Sequence, residues 1–366
     1  MKLKIRKELC EMEKNSYASD QIVLPEGGID CSEGCNPYGY PEGILQVARA
    51  FKSERFAPYP HSMAAYNGIC EYWKSQCFLK RDNIMLTDGS ISAIYIINNI
   101  FNVKGAKVLG IAPQFTDFGA NIRLLGMEYV SVPLRRENNF QIDIEELLDK
   151  ITGDLSLLYI DNPNNPTGQV VDSKDIERIL KKAEDCGVCV IVDEAYGDFM
   201  PKDNSAVKFL ASYENLIVIR TLSKGFGLAG LRVGYILAAE NLIRCMYKMT
   251  NPYQVGEISR ELAGAALTVE NHIADHMENF ARQKRELREN LGGELRMAET
   301  CDTVSICLIY HQDSKVDLHR RFIEEGVLTV PGAEFDELNS SYVRVRMPME
   351  KDFPVLLKAV KKIGQE

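Results

Sequence analysis

Three polar segments each follow a short apolar run, and their side chains could act together on one small molecule. The segments are 161–168 (DNPNNPTG) after LSLLYI, 193–196 (DEAY) after VCVIV, and 220–227 (RTLSKGFG) after NLIVI. Taken singly, they could be an Asn-Pro turn, a helix cap and a solvated Ser-Lys pair. Together they supply a lysine able to form a Schiff base, a carboxylate able to keep a pyridine nitrogen protonated, and hydroxyls with an arginine able to bind a phosphate dianion.

A parallel sheet would bring these segments to one place. The apolar runs that predict strands are IMLT (84–87), KVLGI (107–111), MEYVSV (127–132), LSLLYI (155–160), VCVIV (188–192), NLIVI (215–219) and VGYILA (233–238). Helical patterns lie between several of them, as in residues 173–186 with apolar Ile176, Ile179, Leu180 and Ala183. We therefore predict an α/β fold with a mostly parallel sheet covered by helices on both faces, and ligands bind beyond the carboxyl ends of such strands.

The pattern changes after residue 252. Residues 256–290 predict one long helix, and a smaller α+β section follows, with VSICLIY (304–310), a helix near 315–325, YVRVRM (342–347) and a last helix near 352–364. We expect an N-terminal arm with part of a small domain (1–45), a large cofactor-binding domain (46–252), and an interdomain helix with a small C-terminal domain (253–366).

Composition excludes several partner classes. The 366 residues include 52 acids and 43 bases, and the net charge of -9 argues against nonspecific binding to nucleic acid. No apolar stretch follows the basic N-terminus, and the longest apolar run, 91–101, is shorter than the roughly 18 residues of a membrane span. We expect a cytoplasmic protein that acts on small molecules, without a nucleic-acid or membrane partner.

With these motifs the chain resembles the fold-type I pyridoxal-phosphate aminotransferases of class I/II, close to the subgroup of histidinol-phosphate aminotransferase and threonine-phosphate decarboxylase. The similarity runs from about residue 30 to residue 348, and its most specific parts are NNPTG, DEAY and TLSKGFGLAGLRVGY. The resemblance implies an aspartate-aminotransferase-like fold and pyridoxal 5'-phosphate as cofactor. It also implies a ping-pong transfer of an amino group between an amino acid and a 2-oxo acid.

The resemblance assigns roles to individual residues. Lys224 would form the Schiff base and move protons, Asp193 would pair with the pyridine nitrogen, and Phe115 would stack on the ring. The remaining cofactor contacts would be Asn165 and Tyr196 at the ring oxygen, and Tyr59, Gly89, Ser90, Ile91, Thr221, Ser223 and Arg232 at the phosphate. Asn36 and Arg344 would bind substrate, with the Arg344 fork on the carboxylate. Because Tyr59 would reach the neighbouring subunit's phosphate, we expect a homodimer.

Two departures from the subgroup bear on the substrate. Gly34 stands where an Asn is usual, two residues before Asn36-Pro37. Val330 stands where the subgroup has an arginine that helps to hold the substrate phosphate, and Pro-Gly-x-x-Phe (331–335) looks like the broader amino-acid aminotransferases. We therefore predict that histidinol phosphate is a poor substrate.

Other functions remain to be weighed. A lyase on the same scaffold, either an amino-acid decarboxylase or a β-eliminating enzyme, is the main alternative, and a non-catalytic cofactor-binding regulator is a third. GFGLAG (225–230) spells GxGxxG, but it leads into a predicted strand rather than a helix, which argues against a nicotinamide-dependent dehydrogenase. His272 and His276 are one helical turn apart, and without a third ligand we predict a solvated face and no metal site.

Overall fold

Strands and helices alternate along most of the chain in the computed structural model, which describes residues 4–12, 24–269 and 272–365. In chain order the strands are β1 (Ile29–Asp30), β2 (Ile84–Thr87), β3 (Lys107–Ala112), β4 (Glu128–Pro133), β5 (Leu157–Asp161), β6 (Cys189–Asp193), β7 (Leu216–Thr221), β8 (Gly234–Ala238), β9 (Leu295–Met297), β10 (Ile306–His311), β11 (Val327–Leu328), β12 (Val330–Pro331) and β13 (Tyr342–Arg346). The helices are α1 (Lys7–Glu11), α2 (Ile44–Ala50), α3 (Ala64–Trp73), α4 (Gly89–Ile100), α5 (Thr116–Leu124), α6 (Ile144–Asp149), α7 (Ser173–Asp185), α8 (Glu240–Met246), α9 (Glu257–Leu267), α10 (Ala274–Asn290), α11 (Leu318–Glu324) and α12 (Phe353–Ile363).

The central sheet has seven strands in the order β2-β8-β7-β6-β5-β3-β4. Strands β3 to β7 run parallel, which confirms the predicted mostly parallel α/β sheet, whereas β8 is antiparallel to both β2 and β7. The chain returns from β7 to β8 through a loop without a crossover helix, closed by a hydrogen bond from Leu222 N to Val233 O at 3.0 Å. A direct return of this kind can join only antiparallel strands.

Apolar cores cover both faces of this sheet. Successive residues of β5 enter opposite cores, with Leu158 and Ile160 on one side and Leu157 and Tyr159 on the other. This alternation explains why the strands are apolar throughout. Helix α7 covers one face with the four apolar residues that the sequence indicated, and its N-terminus is capped by Asp172, whose carboxylate accepts from Lys174 N.

The predicted single helix over 256–290 is wrong, because two helices, α9 and α10, occupy this range. Helix α9 ends before Thr268, whose hydroxyl donates to Ala265 O at 2.8 Å and so competes with the helical backbone. The two helices also pack on different partners. Helix α9 lies against α3, with Gly68 and Gly264 in close backbone contact, while α10 lies against α12.

A second, antiparallel sheet of order β12-β13-β10-β9 forms in the C-terminal part, with its own apolar core. The N-terminal strand β1 pairs in parallel with β11 and so joins this part. The division into segments 1–45, 46–252 and 253–366 stays a prediction. Across the described ranges, no helix is long and apolar enough to cross a membrane.

Helix α10 also buries a lysine among main-chain oxygens. Lys284 Nζ donates to Thr300 Oγ1, Cys301 O and Ile306 O at 2.7–2.8 Å. Burial lowers the pKa of Lys284 to about 8, because the charged form loses its hydration.

Candidate active site

The segments that follow β5, β6 and β7 meet in a cavity of about 870 Å³ at the carboxyl ends of these strands. The structure therefore brings together side chains that are far apart in the sequence. The sequence-predicted residues that line the cavity are Ser90, Ile91, Phe115, Asn165, Asp193, Tyr196, Ser223, Lys224, Arg232 and Arg344.

Asp193 lies at the last position of β6, with 3% of its surface exposed. Its carboxylate accepts hydrogen bonds from the Tyr159 hydroxyl and from Ala195 N, both at 2.9 Å. Burial raises the pKa of Asp193 to about 6, and the Tyr159 hydrogen bond opposes this shift. A buried carboxylate of this kind is stabilised as an anion by a cationic partner, such as a protonated ring nitrogen.

Lys224 lies under the N-terminal segment of the chain. Its Nζ is 5.6 Å from the centre of the Tyr196 ring, and the Tyr196 hydroxyl is buried without a hydrogen-bond partner among the described residues. A Cβ on Gly34 would overlap the Tyr196 hydroxyl oxygen and lie 3.1 Å from Lys224 Nζ. The departure at Gly34 thus has a physical reason, since a side chain there would displace Tyr196 or lift the segment.

One end of the cavity is suited to an anion. Helix α4 begins at Gly89, so the backbone N–H groups of Ser90 and Ile91 lie in its first turn, where helices bind phosphates. The Arg232 guanidinium packs against Gly89, whose φ of 71° and contact with Arg232 leave no room for a side chain. Gly89 and Thr221 themselves do not line the cavity. Thr221 instead supports Ser223, with 2.9 Å between the two hydroxyl oxygens.

Arg344 lies on β13 at the opposite side, and only 7% of its surface is exposed. Its guanidinium donates to Asn165 Oδ1 at 3.1 Å and to Ser32 O, while its Nε has no partner. No carboxylate pairs with it among the described residues, so a buried cation faces the cavity. Arg346 does not line the cavity and donates to Met347 O and Asp30 O.

Residues 29–360 match the family described as aminotransferase class I and II. The chain belongs to the class I and II aminotransferases. It is 30% identical over 303 residues to a histidinol-phosphate aminotransferase of Ruminiclostridium cellulolyticum, which covers 82% of this chain and 81% of the relative. The histidinol-phosphate aminotransferase of Thermococcus kodakarensis is 31% identical over 296 residues, which cover 80% of this chain and 81% of the relative.

Solved structures agree with this membership. The histidinol-phosphate aminotransferase of Clostridium acetobutylicum superposes with a TM-score of 0.80 at 25% identity, over 92% of this chain and 99% of that chain. A double mutant of Thermus thermophilus aspartate aminotransferase has a TM-score of 0.84 at 18% identity, over 99% of this chain and 100% of that chain. At this identity the similarity is evidence for the fold alone. The predicted aspartate-aminotransferase-like fold is confirmed.

Pyridoxal phosphate is the cofactor of this family, and the cavity of this aminotransferase fits it. Asp193 offers a buried carboxylate to the ring nitrogen, and the unpaired Tyr196 hydroxyl offers a hydrogen bond to the ring oxygen. The α4 N-terminus and Arg232 offer an anion site for the phosphate. The glycines of GFGLAG lead into β8 and not into a long helix, so the aminotransferase lacks the dinucleotide-binding arrangement there.

Besides Gly89 and Thr221, the sequence-predicted residues Tyr59 and Asn36 do not line the cavity of their own chain. Tyr59 is 71% exposed and stacks on Tyr253, with 4.9 Å between ring centres. Asn36 is buried and does not line the cavity, and its predicted contact with the substrate stays a prediction. The predicted solvated face at His272 and His276 is also wrong, because both rings are half-buried and His276 contacts Asn36.

Sequence reasoning missed the residues that support the site from behind. Asp161, at the end of β5, accepts from Asn164 Nδ2, Asn165 N and Phe115 N at 2.9–3.1 Å, and burial raises its pKa to about 7. It thereby fixes two residues that line the cavity. Its position directly before NPNNPTG was the available signal.

A buried ion-pair network holds the other two segments together. Arg220, at the end of β7, pairs with Glu194 of DEAY at 3.1 Å and with Asp198, and all three side chains are almost fully buried. Removing one partner would leave a buried charge uncompensated. The network therefore fixes the spacing between the segments that carry Asp193 and Lys224.

Proposed function

We propose that this aminotransferase takes the amino group from a carboxylate-bearing amino acid that lacks a phosphate, and passes it to a 2-oxo acid in a ping-pong cycle. The observation that carries the proposal is the Arg344 guanidinium, a buried cation that lines the cavity without an acidic partner among the described residues. The planar fork of an arginine matches a carboxylate.

The contacts of the cavity support a role for each residue. Lys224 Nζ moves the proton at the substrate Cα, Asp193 keeps the ring nitrogen protonated, and Phe115 covers the ring. Asn165 and Tyr196 form hydrogen bonds with the ring oxygen. The phosphate is bound by Ser90, Ile91, Ser223 and Arg232, and Gly89 and Thr221 support these residues. When bound, pyridoxal phosphate withdraws electrons from the substrate Cα and makes its proton acidic.

Charge at the substrate end of the cavity argues against a phosphorylated donor. Val330 offers no cation there, and the half-buried Glu334 carboxylate lines the same wall. Burial raises the pKa of Glu334. It also raises the pKa of nearby Asp117, to about 6. His319 also lines the wall, and burial lowers its pKa, which disfavours the charged form of the ring. On this wall a phosphate dianion would meet the Glu334 carboxyl and no cation apart from Arg344, which also interacts electrostatically with Glu334.

We also infer that the working unit is a homodimer. Tyr59 is exposed and does not line the cavity of its own chain, which supports a role at the neighbouring subunit's phosphate. Sedimentation at assay concentration tests this inference, and a fully active monomer would contradict it. The cytoplasmic location stays a prediction.

Titrating the holoenzyme with amino acids while recording its absorbance tests the proposed reaction. An amino donor should convert the lysine-bound cofactor to the pyridoxamine form and release a 2-oxo acid. Release of carbon dioxide would instead identify the lyase alternative. If no amino acid changes the absorbance, the protein binds the cofactor without catalysing a reaction.

The substrate proposal is tested by comparing kcat/KM for histidinol phosphate with kcat/KM for a panel of ordinary amino acids. The relatives named above carry the name of the phosphorylated substrate, so this comparison separates the chain from them. We expect the unphosphorylated donors to react better. If histidinol phosphate is better by about tenfold or more, another cation such as Arg346 binds the phosphate and the interpretation of Val330 is wrong.

A further inference from the structure

Residues 32–39, which we call the strap, begin in the wall of the cavity and continue past the backbone of Lys224. Ser32 and Gly34 line the cavity, and Asn36 N donates to Lys224 O at 2.9 Å. Arg344 donates to Ser32 O, so the strap also fixes the guanidinium that faces the substrate carboxylate. The position of the strap therefore affects both the reacting lysine and substrate binding.

The amide of Asn36 ties the strap to the rest of the molecule. Its Oδ1 accepts from Tyr38 N at 3.1 Å, which identifies the other amide atom as the donor Nδ2. One N–H of Nδ2 is directed to Gly225 O at 2.9 Å, and Nδ2 lies 3.0 Å from His276 Nδ1. Because Nδ2 can only donate, Nδ1 must accept, so this contact requires a neutral His276 with its proton on Nε2.

The surroundings of His276 hold its ring in place. Tyr38 of the strap stacks on the ring with 4.3 Å between centres and 11° between planes. The Tyr38 hydroxyl donates to Glu350, and the His272 ring lies 5.4 Å away in an edge-on contact. Burial lowers the pKa of His276, while Asp275 and Glu350 raise it. Burial also lowers the pKa of His272, and His276 lowers it further.

We propose that His276 is a positioning residue that holds the strap over the active site in its neutral form and releases the strap when it is protonated. Protonation places an N–H of His276 against the N–H of Asn36, and two donors repel each other. Since the pKa of His276 is lowered, the contact is intact at neutral pH and is lost as the pH falls through that pKa. Amino-donor binding should then weaken in acid while the chemical step changes less.

The pH dependence of KM and kcat, measured separately between about pH 5 and pH 8, tests the proposal. For the unaltered enzyme we expect KM for the donor to rise by about tenfold in acid, as for the loss of a hydrogen bond, with a smaller change in kcat. His276→Asn keeps an acceptor that cannot be protonated, so it should remove this rise. His276→Phe keeps the aromatic stacking but has no acceptor, so its KM should be raised at every pH. His311→Asn, at the end of β10 near Glu294, is the matched control and should keep the rise.

Other carboxyls titrate in the same range, notably Asp193 and Asp117, each with a pKa of about 6. If His276→Asn keeps the rise in KM, these groups cause it and the proposal is overturned.

A second measurement needs neither substrate nor turnover, so it separates failure of the strap proposal from failure of the substrate proposal. The chain has five histidines, and NMR of ¹³C-labelled histidine in the apoenzyme and the holoenzyme can follow each ring during a pH titration. The signal lost in His276→Asn identifies His276. Its pKa should lie below the usual value of about 6.5 and should rise in Asn36→Ala, because the donor that favours the neutral ring is gone. A normal pKa that Asn36→Ala does not change would overturn the proposal.

Discussion

Adding a single methyl group at Gly34 should disturb the site in a way that depends on one oxygen atom. A Cβ there would overlap the Tyr196 hydroxyl oxygen, and its next neighbours would be Tyr196 Cζ at 3.0 Å and Lys224 Nζ at 3.1 Å. Overpacking of this kind costs about 1–3 kcal/mol, so Gly34→Ala should lower kcat/KM by roughly five- to a hundredfold. In a Tyr196→Phe background the overlapping oxygen is absent, and the remaining contacts need a shift of only a few tenths of an ångström.

The four enzymes of this double-mutant cycle are compared by kcat/KM for the best donor and by the dissociation constant of the cofactor. We expect the penalty of Gly34→Ala to shrink by about 1–2 kcal/mol when residue 196 is Phe. Equal penalties in the two backgrounds would refute the reasoning, because the cost of Gly34→Ala would then not come from overlap with the Tyr196 hydroxyl oxygen. The free energy of unfolding of each apoenzyme serves as the control for global damage.

Three further outcomes are expected. Borohydride reduction of the holoenzyme followed by peptide mapping should place the pyridoxyl group on Lys224, and a label on any other lysine would contradict the site. Arg344→Gln should lower kcat/KM for a carboxylate donor by roughly one to two decades, through the loss of a charge-assisted bond of about 1.5–3 kcal/mol, and should affect the corresponding amine without a carboxylate much less. Lys284 binds a proton less tightly in the folded protein, where its pKa is about 8, than in the unfolded chain, where it is 10.5. Unfolding therefore takes up a proton between these two pH values. The free energy of unfolding should rise with pH across this window, by on the order of 3 kcal/mol at most. Lys284→Met should lack this rise in urea titrations, and parallel pH profiles for the two proteins would show that burial of this lysine costs nothing.

The sequence predicted the central strands to within one or two residues, because residues such as Leu157 and Leu158 are buried on opposite faces and leave an unbroken apolar run. An apolar run carries no information on direction, so the reversal of β8 was not predictable from it. The break between α9 and α10 was missed because a threonine can stand inside a helix as well as end one, and the Thr268 hydroxyl bond and the different packing partners are seen only in the structure.

The site was predictable where a residue type is tied to a strand end, as for Asp193 and Lys224, both of which line the cavity. It was not predictable where function depends on the direction of a side chain. Asn36 precedes a proline near the site, but its amide faces Gly225 and His276 and not the cavity. Asp161 was not predicted as a supporting residue because one of its three hydrogen bonds comes from Phe115, which only the fold brings to it, while the other two come from the adjacent Asn164 and Asn165.

The pairing of β1 with β11 has a consequence for the order in which the protein can be assembled during synthesis. Residues 29–30 are synthesised long before their partner strand at 327–328, and before Arg344 and Arg346, whose guanidiniums donate to the adjacent backbone. Contacts between such distant parts of a chain form slowly and late. The sheet around Lys224 can therefore be complete on a nascent chain whose cavity is still uncovered, and a chain stopped before residue 327 would keep Lys224 without β11, Arg344 and Arg346.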